Sequence, residues 1–417
     1  MTTAQQRETT QREPGLPGRN ERLFEVGRLF LKLGAFSFGG PTAHIALMQD
    51  EVVCKRKWLD ESEFMDLVGA TNLIPGPNST ELAIHIGHRR AGWPGLVVAG
   101  LCFILPAVVI VTALASVYVR WGKLPNALFL MYGIKPVIAV IVIQALWGLG
   151  RKVARGPSRI LSGMLVGVLS LCGANELALL AGAGLVFMFS STFRRTGILK
   201  SMGCAIATLG LPRTGDGSGS PAGSAAIKSM AAGAAGASAA AAFSQGNLFL
   251  FFLKVGSVLY GSGYVLLAFL KSDLVDRWHW LSESQLLDAV AVGQFTPGPV
   301  FTTATFIGYV LGGMGGAALA TVGIFLPAFI FVAISGPMIP RIRRSPSAGA
   351  FLDGVNVASL ALMATVTFQL AQVALTDPYS VALAGISAVM LFRSRLNSAW
   401  LVIGGGLAGL AWRLLTG

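Results

Sequence analysis

The stretch NLIPGPNST at residues 72–80 decides how the chain folds, because it interrupts an apolar sequence. A proline lacks an N–H and its ring clashes with the preceding helical turn, and a glycine adds a second interruption. The tripeptide Pro75-Gly76-Pro77 therefore marks either a surface turn or a break built into a membrane segment. A second copy, FTPGPVFTT at residues 295–303, poses the same question in the other half of the chain.

The composition places the chain in a membrane. Of its 417 residues, 53% are hydrophobic and only 12% are charged, and the mean hydropathy is +0.66, whereas a soluble domain carries about 25% charged residues. Five segments exceed the roughly 20 apolar residues that span a bilayer: residues 93–118, 126–150, 246–270, 313–338 and 349–374. We predict an all-α polytopic membrane protein.

The net charge of +13 does not indicate nucleic-acid binding, because the basic residues are distributed as in a membrane protein. They lie in tails and short loops, where the positive-inside rule places them, and no basic stripe alternates with aromatic residues. Residues 1–21 contain no apolar stretch, so we predict a disordered cytoplasmic tail there rather than a signal peptide.

The sequence contains no motif that supports an enzymatic function. The four cysteines show no paired spacing, and no nucleotide loop, Ser/His/Asp set or haem motif is present. We therefore expect no catalytic residues, no cofactor and no bound metal.

The chain is a tandem duplication. At an offset of 222 positions the halves align without gaps, and after one deleted residue the offset becomes 221. The matching pairs include Lys32 with Lys254, Trp58 with Trp280, Asp66 with Asp288, Gly76 with Gly298, and then Gly87 with Gly308 and Gly133 with Gly354. We predict two transporter repeats, residues 22–200 and 247–417, joined by a Gly/Ser/Ala-rich linker over residues 201–246.

The basic loops indicate that the two repeats have opposite orientations. The loop with Arg89 and Arg90 matches the uncharged residues 310–312, and the basic loop at residues 151–159 matches residues 372–380, where Asp377 is the only charge. A third loop is basic in both halves. Inverted repeats with interrupted segments at matching positions are typical of secondary transporters, although the linker must then cross the membrane an odd number of times.

The PGP breaks are candidate anion sites. Proline suits the first position of a helix, and the polar residues that follow are good capping types. A helix that starts there presents free N–H groups and a partial positive charge to an anion. The candidate substrate-binding residues are Pro75, Gly76, Pro77, Asn78, Ser79 and Thr80, with Pro297, Gly298, Pro299, Thr302 and Thr303 in the second copy.

A second matched interruption lies near the start of each repeat. Gly39 and Gly40 precede a proline in the first repeat, and Gly261 matches Gly39 in the second. A lysine stands seven residues before each first glycine, Lys32 and Lys254. A lysine in an apolar segment is a functional candidate, and the alternative is that it extends to the membrane interface.

Four titratable residues are candidates for ion coupling. His44 titrates near neutral pH, Glu81 falls one turn inside the helix after Pro77, and Asp66 and Asp288 match across the repeat. The sequence does not choose among them.

Several long motifs resemble the long-chain form of the chromate ion transporter family. They are FSFGGPTAHIALMQDEVV and NLIPGPNSTELAIHIGHRRAGWPG in the first half, and GSGYVLLAFLKSDLV and GQFTPGPVFTTATFIGYVLGG in the second. The resemblance implies a multi-pass protein of the bacterial inner membrane that exports chromate from the cytoplasm and confers chromate resistance.

The residues themselves lead only to an anion transporter. Sulfate has nearly the size and charge of chromate, so a sulfate or general oxyanion permease remains open, as does an anion uniport channel. A membrane-bound reductase would need a redox cofactor motif, which is missing. The expected partners are the substrate and the lipid bilayer, and a homodimer is left open.

Overall fold

The computed structural model describes residues 18–38, 40–121, 125–153, 156–195, 243–260, 265–335, 345–393 and 398–416, which form helices and no strand. The predicted all-α class is confirmed. The first half contains α1 (Arg19–Phe36), α2 (Gly40–Gln49), α3 (Glu61–Thr71), α4 (Asn78–Trp121), α5 (Pro125–Val153), α6 (Pro157–Leu171) and α7 (Glu176–Arg195).

The second half repeats this order. It contains α8 (Gln245–Val258), α9 (Leu266–Phe269), α10 (Glu283–Phe295), α11 (Thr303–Ser335), α12 (Pro346–Ala374), α13 (Pro378–Arg393) and α14 (Ser398–Thr416). A π-helical turn follows α2 at Asp50–Lys55 and α9 at Leu270–Arg277. Helix α1 begins three residues inside the expected tail and α8 two residues inside the expected linker, while residues 1–17 and 201–242 lie outside the described part.

Helices α4 and α11 are hairpins rather than rods. Gly92 has φ 67° and ψ −154°, and Gly313 has φ 61° and ψ −150°, a backbone that glycine adopts at no steric cost. Each of the two helices folds back at this glycine. In α4, a Cβ on Gly87 would lie 2.3 Å from the carbonyl oxygen of Gly95. The short arms are residues 78–90 and 303–311, and the long arms are residues 93–121 and 314–335.

Each short arm also pairs with the helix before it. In the first half, Arg89 at the end of the short arm lies 2.9 Å from Glu63 at the start of α3. In the second half, a Cβ on Gly293 of α10 would lie 2.0 Å from the hydroxyl of Thr303. Since segments of 9 to 13 residues are too short to span a bilayer, each pair forms a re-entrant hairpin with a PGP loop at its tip.

Within the described ranges, four helices are long and apolar enough to cross a membrane: α4, α5 over residues 129–148, α11 with the short turn before it, and α12. The fifth predicted segment, residues 246–270, is not one span. Helix α8 stops at Val258 because Leu259 is extended, with ψ 104°. The short apolar helices α6 and α13 have 15 and 16 residues.

The halves exchange their last helices. Helix α7 packs against α12 of the other half, and α14 packs against α5. Gly405 and Gly409 of α14 lie against Gly133, with the Gly405 carbonyl 2.1 Å from where a Gly133 Cβ would stand. The matching Gly354 lies equally close to Ala183. Small residues four apart allow this backbone approach in membranes, so the repeats are not independent units.

We expect Gly133→Ala to destabilise the protein by about 1–3 kcal/mol, because the methyl group collides with the backbone of α14. Gly182→Ala is the matched control: it also lies in a helix, but with no atom near its Cβ position, and it should stabilise by up to about 1 kcal/mol. Thermal unfolding in detergent measures both. Equal midpoints for the two variants would contradict the tight α5–α14 contact.

Candidate functional site

The two PGP tips meet the opposite half through reciprocal backbone hydrogen bonds. The Gly76 N–H donates to the Leu259 carbonyl at 2.8 Å, and the Gly298 N–H donates to the Ser37 carbonyl at 3.0 Å. Ser37 and Leu259 are the residues that end α1 and α8. These glycine amides are therefore engaged by the protein and not free for a ligand in this conformation.

The tip of the second hairpin fits closely into the first half. Gly298 has φ 90°, and a Cβ there would lie 2.7 Å from the Ala107 Cβ and 3.1 Å from the Gly34 carbonyl oxygen. At the other tip, Gly76 has φ 140°, and its Cβ position lies 2.3 Å from Glu81 Oε1. Both glycines are required by their backbone angle and by space.

The N-terminus of α4 has the predicted form, shifted by one residue. Helix α3 ends at Thr71, and Pro77 stands directly before α4 rather than being its first residue. The Pro77 carbonyl accepts from the amides of Thr80 and Glu81 at 2.8 and 3.0 Å. The amides of Asn78 and Ser79 have no acceptor within the helix, because the first N–H groups of a helix point outward.

The hydroxyl groups predicted to bind the substrate differ in whether the protein already uses them in hydrogen bonds. Thr302 and Thr303 donate to the carbonyls of Pro299 and Val300, at 2.8 and 2.9 Å. The Thr80 hydroxyl is buried and has no hydrogen-bond partner within the described part of the chain. Ser79 is buried beside it. The first tip thus offers more unused hydrogen-bonding capacity than the second.

Glu81 is the most unusual acid in the structure. It is fully buried, and neither carboxylate oxygen has a hydrogen-bond partner among the described residues. It lies against Gly76 at the tip. Burying an unpaired carboxylate costs several kcal/mol more than burying the neutral acid, so Glu81 is suited to hold a proton at this point.

Asp288 belongs to a polar cluster that joins the halves. Its Oδ2 accepts from the Tyr118 hydroxyl at 2.8 Å, and its Oδ1 lies 3.6 Å from Lys135 Nζ. Lys135 also donates to the Ser284 hydroxyl at 2.6 Å. The sequence match with Asp66 does not extend to the surroundings, since Asp66 is exposed. Nothing in the sequence indicated that Tyr118 would contact Asp288.

Lys32 and Lys254 have acidic partners in matching places. Lys32 Nζ lies 3.1 Å from Glu51, and Lys254 Nζ lies 2.5 Å from Asp273. Burial raises the pKa of Glu51, but hydrogen bonds from Lys32 and Arg56 outweigh it and hold that pKa below its ordinary value. Each lysine thus has an acidic partner, although Glu51 is shared with Lys55 and Arg56, and Asp273 is shared with Arg277.

His44 supports one of the two tip contacts. It is buried, and its Nε2 lies 3.1 Å from the Ser37 carbonyl, which also accepts from Gly298. Gly40, with φ 75°, begins α2 beside it. Gly39 and Gly261, the other glycines predicted for the site, lie outside the described residues.

A polar cavity of about 680 Å³ opens beside the second π-helical turn and the α6–α7 turn. Buried Lys271 lies within it, 2.9 Å from Asp276 and 2.8 Å from Glu283. This cavity could not be predicted from the sequence, because its two walls come from different halves.

The chain has recognisable relatives across both repeats. The family model described as "Chromate transporter" matches residues 24–189 and 246–410. A chromate transport protein of Cupriavidus metallidurans is 29% identical over 91% of each chain. One from Pseudomonas aeruginosa is 29% identical over 91% of this chain and 90% of its own, and no solved structure matches. The chain belongs to the chromate transporter family.

We expect Gly298→Ala to destabilise the protein by more than Gly313→Ala. Both glycines have positive φ, so both changes carry a backbone cost of about 1 kcal/mol. Only position 298 adds a collision with Ala107 and Gly34, whereas no atom lies near the Cβ position of Gly313. Thermal unfolding of the two variants measures the difference, and equal losses would contradict the close seating of the tip.

Proposed function

We propose that this member of the chromate transporter family exports chromate across the bacterial inner membrane and thereby confers chromate resistance. The observation that carries the proposal is the pair of re-entrant hairpins whose PGP tips meet the opposite half. Broken segments that meet between two repeats are the usual place for a substrate in secondary transporters.

The start of α4 supplies the donors for the anion. The donors are the amides of Asn78 and Ser79 and the hydroxyls of Ser79 and Thr80. These groups carry no negative charge, and the helix dipole favours an anion there. In the second half, the amides after Pro299 are the counterpart. The glycine amides hold the tips in place and join the site only when their bonds to the other half open.

The reciprocal contacts suit alternating access. A backbone hydrogen bond contributes about 1 kcal/mol net. The free-energy cost of breaking the bonds from Gly76 and Gly298 is therefore small enough for a transport cycle. The basic loops favour inverted repeats, in which one tip opens to each side of the membrane. The exchanged helices α7 and α14 keep the halves together while they rock.

Export has a ready driving force. Moving a dianion out of a negative interior gains about 4.6 kcal/mol per 100 mV, twice the value for a single charge. Glu81 adds a place for a proton beside the site. Protonation removes a negative charge next to the anion, so the acid favours proton-coupled movement over a simple channel.

Flux into inside-out vesicles tests the proposal. Chromate should accumulate when a potential positive inside the vesicles is imposed. A pH gradient that is acid on the outer, cytoplasmic face should increase the rate, because the proton on Glu81 moves with the anion. Flux that never exceeds equilibrium under a pH gradient would indicate a channel instead. Sulfate transported as well as chromate would replace the specificity claim with a general oxyanion permease, and vesicles without chromate flux would overturn the proposal.

Glu81→Gln should abolish the stimulation by the pH gradient while leaving most of the potential-driven flux, because the amide fills the same space without taking up a proton. Glu63→Gln is the matched control. It changes an exposed acid of the same hairpin, whose surface ion pair with Arg89 contributes at most about 1 kcal/mol. Full stimulation in the Glu81 variant would remove Glu81 from the coupling mechanism.

A further inference from the structure

We propose that Lys135 is a binding site for the transported oxyanion. The Lys135 ammonium pairs alternately with the Asp288 carboxylate and with the anion. The inference rests on the proposed function and adds a second binding site to the path. It is carried by the geometry of the polar cluster between the halves.

The cluster has the parts that an exchange site needs. Lys135 lies inside the apolar span of residues 129–148, and its side chain is 20% exposed, whereas that of Asp288 is 6% exposed. Their charged atoms are 3.6 Å apart, longer than the 2.7–2.9 Å of a close charge-assisted hydrogen bond. The ammonium is thus held loosely by the carboxylate.

A neutral donor already stands next to the ammonium. Lys135 donates to the Ser284 hydroxyl, whose own hydrogen is left to donate to an anion oxygen. Asp288 has a second partner, since the Tyr118 hydroxyl donates to its other oxygen. The carboxylate therefore keeps one hydrogen bond when the ammonium turns to the substrate.

The cluster lies at the contact between the second hairpin and the first half. Asp288 and Ser284 lie on α10, the first arm of the second re-entrant hairpin, while Tyr118 and Lys135 come from the first half. Asp288 is seven residues before the end of α10, about 10 Å from the PGP loop at 1.5 Å per residue. Any movement of this hairpin against the first half changes the distance between Lys135 and Asp288.

The duplication supplies this cluster only once. The positions that match Lys135 and Tyr118 in the second half are Asn356 and Ile339. The second half therefore lacks the lysine and the tyrosine that the first half supplies to Asp288. A contact needed only to hold two similar halves together would be expected at both places.

The exchange takes up one proton and one oxyanion together, so with a dianion the net charge of the site changes from zero to −1. One proton adds to the Asp288 carboxylate, the attraction to Lys135 is lost, and the ammonium with the Ser284 hydroxyl binds one oxyanion. Release of the proton restores the pair and expels the anion. Lys135 of α5 and Tyr118 of α4 contact Asp288. The π-helical turn that packs against α10 brings Lys271, which is paired with Glu283 of α10 at 2.8 Å.

Chromate binding to the purified full chain in detergent, measured by equilibrium dialysis, tests this binding site. The pH range is kept above that in which chromate itself takes up a proton. Wild-type binding should weaken with rising pH. Lys135→Gln should weaken binding about tenfold or more at every pH, and Lys135→Arg should restore most of it. Asp288→Asn should bind at least as tightly as the wild type, without pH dependence.

Opposite effects of the two substitutions separate a binding site from a structural ion pair, whose removal from either side would weaken the protein alike. Asp353→Asn is the control, because it breaks another ion pair between the halves, with Arg159, and should leave binding unchanged. Should Asp288→Asn not fold, Tyr118→Phe removes a donor from the carboxylate and should move the pH midpoint of binding upward.

Unchanged binding in Lys135→Gln, or the wild-type pH dependence in Asp288→Asn or in Tyr118→Phe, would overturn the inference. Wild-type protein that neither binds nor transports chromate would overturn the proposed function instead. The two failures are therefore distinguishable.

Discussion

The architecture depends on two backbone hydrogen bonds, each from the glycine of a PGP loop to the carbonyl that ends the first helix of the opposite half. A proline on either side leaves the glycine amide as the only donor of the tripeptide, and the extended residue after α1 or α8 leaves a carbonyl without a helical partner. Each half thus completes a helix end of the other. This accounts for the appearance of both interruptions, at matching positions, in both halves.

Much of this arrangement could be predicted from the sequence. Prolines, glycines and apolar runs act locally, so the helix breaks and their repetition were visible at the 222-residue offset. The hairpins within α4 and α11 were not, because Gly92 and Gly313 take their unusual angles only when the arms on either side pack together. The exchange of α7 and α14 also left no local pattern, since it depends on contacts between distant segments.

The helix ends around the candidate site were predictable from the sequence, whereas the contacts of its side chains were not. Pro77 correctly marked the beginning of a helix, yet the sequence did not show that the Gly76 amide is already used. Lys32 and Lys254 attracted attention as charges in apolar segments, and their partners Glu51 and Asp273 became evident only in three dimensions. Conversely, Asp66 and Asp288 matched in sequence, but one is exposed and the other faces a lysine from the opposite half. Equivalent residues have acquired different surroundings since the duplication.

The close seating of α14 on α5 has a consequence for biogenesis. Gly133 emerges from the ribosome long before Gly405 and Gly409, so α5 enters the bilayer without the helix that covers its glycine face. Lipid must occupy that face until the last helix is inserted, since glycine leaves a groove there. The first repeat therefore reaches its final packing only after α14 has been made, and a chain that stops before α14 would leave α5 without its partner.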